Sequence, residues 1–142
     1  MSSANSSNLH VLVVDDEMIT RNIVCRMLEQ CGYRVTKASN GREAIEILCS
    51  KISLSDDHPD HIDTILTDLM MPEVSGYQIL RFIQSHDSLH NIPVVLMSSK
   101  DDQKAVMDCI QNGAEDYIMK PISRKDVINL WQHAWRRKKL DS

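Results

Sequence analysis

The chain has 142 residues, a net charge of −4, 42% hydrophobic residues and 25% charged ones. That length fits one domain able to bury a sizeable core, with the composition of a soluble globular protein rather than a disordered one. The negative balance argues against a general nucleic-acid binder, which carries a broad basic surface.

Residues 1 to 8, rich in Ser and Asn, are expected to form a disordered lead. Leu9 to Val14 is the first apolar run and stops at Asp15-Asp16-Glu17. Ile19, Ile23, Val24, Met27 and Leu28 then recur at helical spacing, and Gly32 suits the helix end. Tyr33 to Ala38 alternates and is rather polar, as a strand near a sheet edge would be. Ser39-Asn40-Gly41 starts a helix that buries Ala44, Ile45 and Leu48. Ser50 to His61 is polar and broken by Pro59, which predicts an exposed loop.

Ile62 to Thr67 is short, apolar and β-branched, the pattern of a strand buried on both faces of a parallel sheet. Asp68 stands at its end, and Pro72 forbids a regular continuation. Ser75 is positioned to cap a helix with Ile79, Leu80 and Ile83 inward. Pro93 to Ser98 predicts the fourth strand, and Asp101 to Asn112 a helix stopped by Gly113. Asp116 to Lys120 predicts the fifth strand, ended by Pro121. A last helix from about Arg124 places Val127, Leu130, Trp131 and Ala134 inward, with Trp135 partly exposed. Strands alternating with helices at short spacing predict an α/β doubly wound, five-stranded parallel sheet with five helices.

In such a sheet, chemistry gathers at the carboxyl ends of the strands. Those ends carry Asp15-Asp16, Asp68, Ser98 and Lys120. Three carboxylates held close repel one another by about 1 kcal/mol per pair in water and about 4 at an effective dielectric of 20. A hard divalent cation such as Mg²⁺ relieves that repulsion. Asp68 then becomes a candidate nucleophile toward a phosphoryl group, with the cation and Lys120 neutralising the phosphoryl oxygens and Ser98 hydrogen-bonding the product.

Competing motifs are missing. Cys25, Cys31, Cys49 and Cys109 form no CxxC pair and read as free thiols. His58 and His61, like His86 and His90, read as surface histidines rather than metal ligands. Neither a P-loop, nor GxGxxG, nor GxSxG is present. With neither a secretory signal nor an apolar run of spanning length, the expected location is intracellular, cytoplasmic and/or nuclear.

The segments VVDDE, TDLMMP around Asp68, LMSS at Ser98 and GAEDYIMKP around Lys120 together resemble the receiver domain of two-component response regulators. The resemblance covers about Leu9 to Trp135 and implies a CheY-like fold with strand order 2-1-3-4-5. A receiver over residues 9 to 137 and a tail over 138 to 142 are expected. It implies that Asp68 receives a phosphoryl group from a histidine kinase or a histidine phosphotransfer protein. Asp15, Asp16, Asp68 and the backbone carbonyl of Met70 would bind Mg²⁺. Ser98 and Tyr117 match the family's switch pair, and the Lys120–Pro121 bond would be cis. A downstream effector or a second copy of the domain would read the surface made by the fourth helix, fifth strand and fifth helix. Direct nucleic-acid contact, membrane attachment and turnover catalysis are not implied.

NIPVVLMSS, GAEDYIMKPI and NLWQHAWRR further resemble the plant clock-associated pseudo-response regulators. Typical members carry Glu in place of the acceptor, whereas Asp68 and the acidic pair are intact here. The alternative that this resemblance implies is an interaction or dimerisation module independent of phosphorylation. A haloacid-dehalogenase-like phosphatase would need an acid two residues after the nucleophile, and Met70 occupies that place. Met70 also offers no group to position an attacking water, so slow dephosphorylation is expected.

Overall fold

The computed structural model describes residues 9 to 55 and 57 to 141, with side chains described through Arg136. The expected disordered lead therefore lies outside the described residues. Five strands, β1 (His10–Val14), β2 (Arg34–Ala38), β3 (Thr64–Asp68), β4 (Val94–Ser98) and β5 (Asp116–Met119), form one sheet. Every pairing is parallel, and the order is β2-β1-β3-β4-β5. The helices are α1 (Met18–Gln30), α2 (Gly41–Cys49), α3 (Gly76–Gln84), α4 (Gln103–Gln111), α5 (Arg124–Ile128) and α6 (Trp131–Asp141). The predicted last helix is thus divided in two, and a short 3₁₀ turn, Lys100–Asp102, precedes α4.

The three central strands are buried throughout, because helices cover both faces. Alternate residues serve two cores. Leu12, Val14, Ile65 and Leu96 join Ala44, Leu48, Ile79 and Val106 on one face. Val11, Val13, Leu66 and Val95 join Val24, Leu28 and Val127 on the other. β2 is an edge strand and only partly buried, which accounts for its polar alternation. Local signals set the helix ends. Asn40 caps α2 by accepting from the Glu43 amide, Ser75 forms a capping box with Gln78, and Gly32 and Gly113 take positive φ after α1 and α4.

Three details depart from expectation. Ile19 and Ile23 face solvent, because Val24, Cys25 and Leu28 fill the core stripe of α1. His61 is buried, and its carbonyl accepts from the ring of His10, itself buried at the start of β1. His86 is half-buried and stacks against Phe82. Among the described residues no helix is long and apolar enough to cross a membrane.

Candidate phosphoacceptor site

Parallel pairing brings the carboxyl ends of β1, β3, β4 and β5 to one rim. Val14 pairs with Thr67 and Asp68 with Met97, so Asp15, one residue beyond β1, lies beside Asp68. The main chain fixes this rim tightly. The Asp15 amide donates to the Ala38 carbonyl (3.2 Å), the Leu69 amide to Met97 (2.9 Å) and the Lys120 amide to Ser98 (2.7 Å). The Lys120–Pro121 bond is cis, as expected. Behind Asp68 the first turn of α3 comes so close that a Cβ at Gly76 would stand 2.7 Å from the Asp68 carbonyl oxygen.

The side chains that the sequence singled out converge here. One carboxylate oxygen from each of Asp15, Asp16 and Asp68 lies within 4.8 Å of the other two. Asp15 is fully buried, Asp68 is 8% exposed and Asp16 faces solvent. Asp15 Oδ1 accepts from the Glu17 amide at 2.9 Å, and the Asp15 carbonyl accepts from Arg21 Nη1 at 2.8 Å. Lys120 Nζ lies 3.2 Å from Asp68 Oδ2 and 3.4 Å from Asp15 Oδ2. Beyond that ion pair, Asp15 Oδ2 has no hydrogen-bond partner among the described residues, and the buried Ser98 hydroxyl has none either.

The electrostatics follow from this crowding. Burial, reinforced by Asp15 and Asp16, outweighs the pull of Lys120 and pushes the Asp68 carboxyl up to about 6. Burial would lower Lys120, but the carboxylates of Asp68 and Asp15 prevail and hold its ammonium above the ordinary value. Three clustered carboxylates, two of them buried, against the single ammonium of Lys120 leave net negative charge, which fits a hard divalent cation. Tyr117, by contrast, sits on β5 partly buried against the core, and Met70 is 57% exposed at the mouth. A groove of about 430 Å³ beside the acceptor loop, lined by Leu69, Met70, Tyr77 and Cys109 among others, contains none of the three carboxylates.

Sequence reasoning did not single out two supporting residues, Arg21 and Gly76. Arg21 stands on α1 at a position that periodicity marks only as polar, and Gly76 follows the Ser75 cap with no local sign of the close approach to Asp68.

The family model described as "Response regulator receiver domain" matches residues 11–132. Among curated proteins, the chain is 42% identical over 129 residues to "Two-component response regulator-like APRR5" of Arabidopsis thaliana. That match covers 91% of this chain and 22% of the relative. The identity to APRR3 of the same plant is 43% over 130 residues, covering 92% and 25%. The chain thus spans about a quarter or less of these relatives, which are the plant pseudo-response regulators that its C-terminal half resembles. Among solved structures, a response regulator receiver domain protein from Clostridium thermocellum superposes with a TM-score of 0.82 at 28% identity, covering 94% of this chain and 99% of that one. The receiver domain of sensor histidine kinase PA1611 from Pseudomonas aeruginosa, solved with a magnesium ion coordinated in the active site cleft, gives 0.71 at 27% identity, with 87% and 94% covered. The chain belongs to the response regulator receiver domain family.

Proposed function

We propose that this domain takes a phosphoryl group onto Asp68 from a phosphohistidine of a histidine kinase or histidine phosphotransfer protein. The observation that carries this reading is the convergence of Asp15, Asp16, Asp68 and Lys120 on one recessed acceptor, with the Ser98 hydroxyl buried beside it and unpartnered. In the transfer, an ionised Asp68 oxygen bonds to phosphorus while the phosphorus–nitrogen bond breaks, its electron pair returning to the imidazole ring. Lys120, already in contact with Asp68, meets a phosphoryl oxygen. Ser98 gains the acceptor that it otherwise lacks. Asp15, Asp16, Asp68 and the Met70 carbonyl would hold Mg²⁺, which when bound supplies positive charge to the acceptor and the incoming group. The exposed Met70 side chain offers no polar group to orient water, so the acyl phosphate is lost slowly.

The domain acts as a signalling module rather than a turnover enzyme. Tyr117 and Ser98 form its switch, and the surface of α4, β5 and the divided last helix, α5 with α6, is read by an effector or a second copy, in the cytoplasm and/or nucleus. Neither nucleic acid nor membrane is bound directly.

Intact mass after incubation with a small phosphodonor and Mg²⁺ tests the proposal. One phosphoryl is expected on the wild type, none on Asp68→Asn, and none when EDTA is present during the reaction. No adduct, repeated with a phosphorylated histidine phosphotransfer protein as donor, would leave the phosphorylation-independent interaction module in its place.

A further inference from the structure

The helix that follows β5 is interrupted, and a residue far away in sequence fills the interruption. The Tyr33 hydroxyl donates to the Ile128 carbonyl at 3.1 Å and accepts from the Trp131 amide at 2.8 Å. It thereby satisfies the last turn of α5 and the first turn of α6 at once, across Asn129 and Leu130. The Tyr33 ring is itself buried at 4% exposure, so the hydroxyl is held in place by the core.

Beyond the break, α6 grips the domain by two different means. Trp131 packs partly against the core and Ala134 is buried, both within its first turns. The helix also approaches β3, and polar side chains tie it to the start of β5. His133 Nδ1 lies 3.7 Å from Glu115 Oε2, and His133 Nε2 lies 3.4 Å from Asp116 Oδ2. Arg136 Nη1, on an exposed side chain, lies 3.8 Å from Glu115 Oε2. The Asp116 carboxylate is shared, because its other oxygen accepts from the Tyr117 amide at 2.8 Å. Lys120 stands one residue past the opposite end of β5, about 13 Å away at the rise of an extended chain.

We propose that α6 is a hinged arm, angled by the Tyr33 hydroxyl and clasped to the start of β5 by Glu115 and Asp116, and that it detaches while the sheet stays folded. Attachment also bears on β5, since the carboxylate that receives His133 orders the backbone at Tyr117. The inference goes beyond phosphoryl transfer and does not depend on it.

Hydrogen exchange of the full chain, read by mass spectrometry and at single amides by NMR, tests the arm. His133→Gln/Arg136→Gln removes the imidazole and the guanidinium of the clasp and leaves both carboxylates. Tyr33→Phe removes the pin and leaves the ring. Amides of residues 131–141 are expected to exchange about three- to tenfold faster in each variant, with β1, β3 and β4 unchanged. The Tyr117 amide is expected to follow in the His133→Gln/Arg136→Gln protein. Unmutated protein moved from about 0.05 to about 0.5 M salt, which shortens the screening length several-fold, is expected to show the same acceleration without any substitution. Wild-type exchange of α6 in both variants and at high salt would overturn the arm, as would acceleration of α6 and the central strands together. An unchanged Tyr117 amide beside a freed α6 would overturn its link to β5.

Discussion

Replacing Asp68 with its neutral isostere should stabilise the metal-free protein. Asp68 titrates at about 6 in the folded chain against an ordinary 3.8, because burial and the carboxylates of Asp15 and Asp16 outweigh Lys120. One pKa unit corresponds to about 1.36 kcal/mol, so keeping Asp68 ionised at pH 7.5 costs the fold about 3 kcal/mol relative to the unfolded chain. The sign follows from the direction of the shift. The folded protein binds the extra proton more tightly, so that stabilisation is complete below pH 3.8 and is lost as pH rises through about 6. The carboxamide of the Asp68→Asn variant cannot ionise and escapes the loss. Urea unfolding in EDTA at low ionic strength should therefore show Asp68→Asn more stable by about 3 kcal/mol at pH 7.5, by about half of that near pH 5, and by almost nothing near pH 3.5. The denaturant slope should stay constant. Added Mg²⁺ should narrow the gap, since a ligand at a hundred times its Kd adds about 2.7 kcal/mol to the protein that binds it, and the variant is one carboxylate short. Equal stabilities at pH 7.5 in EDTA, or a gap that does not change with pH, would refute the electrostatic account of the site.

Other substitutions probe the surroundings. Ser98→Ala removes a buried hydroxyl without a partner, so the unmodified protein should gain about 1 kcal/mol in urea unfolding while its acyl phosphate decays faster in a mass-adduct time course. Gly76→Ala forces a methyl to 2.7 Å from the Asp68 carbonyl oxygen and should cost about 1–3 kcal/mol, with reduced phosphoryl uptake at equal folded fraction. His10 is held below its ordinary 6.5, first by burial and then by Arg34, while its ring bonds the His61 carbonyl and the Thr36 hydroxyl. Its contribution to stability is therefore complete above pH 6.5 and is lost as pH falls below it. In an Asp68→Asn background, stability should fall as pH drops below 6.5 with His10 present, and more shallowly with His10→Gln.

Much of the site is legible in the sequence because strands buried on both faces must be apolar, so a carboxylate or ammonium at their ends stands out. Leu12 to Val14 and Ile65 to Leu66 announce their strands, and Asp15, Asp68, Ser98 and Lys120 mark where those strands stop. The order of the strands cannot be read that way and rests on the family resemblance. Periodicity likewise shows that α1 has an apolar stripe but not its phase. Ile19 and Ile23 fit the spacing, yet Val24, Cys25 and Leu28 take the core. Nor does an acidic pair reveal which member turns inward, although Asp15 is buried and Asp16 exposed. The division of the last helix is set by Tyr33, 95 residues before Ile128, and no local pattern carries that information. His61 escapes prediction for the same reason, since it is tied to His10 across 51 residues.

The position of Lys120 has a consequence for how the acidic pocket would receive a divalent cation. Its ammonium touches both Asp15 and Asp68, so it stands guard as a built-in counter-ion whenever no cation is bound. Removing metal therefore leaves a partly compensated pocket, and folding does not wait on metal as it does in a zinc finger. A chelator should silence the chemistry while the scaffold persists. A divalent ion entering the pocket would meet a tethered ammonium already paired with two of the three carboxylates, and would share the space with it.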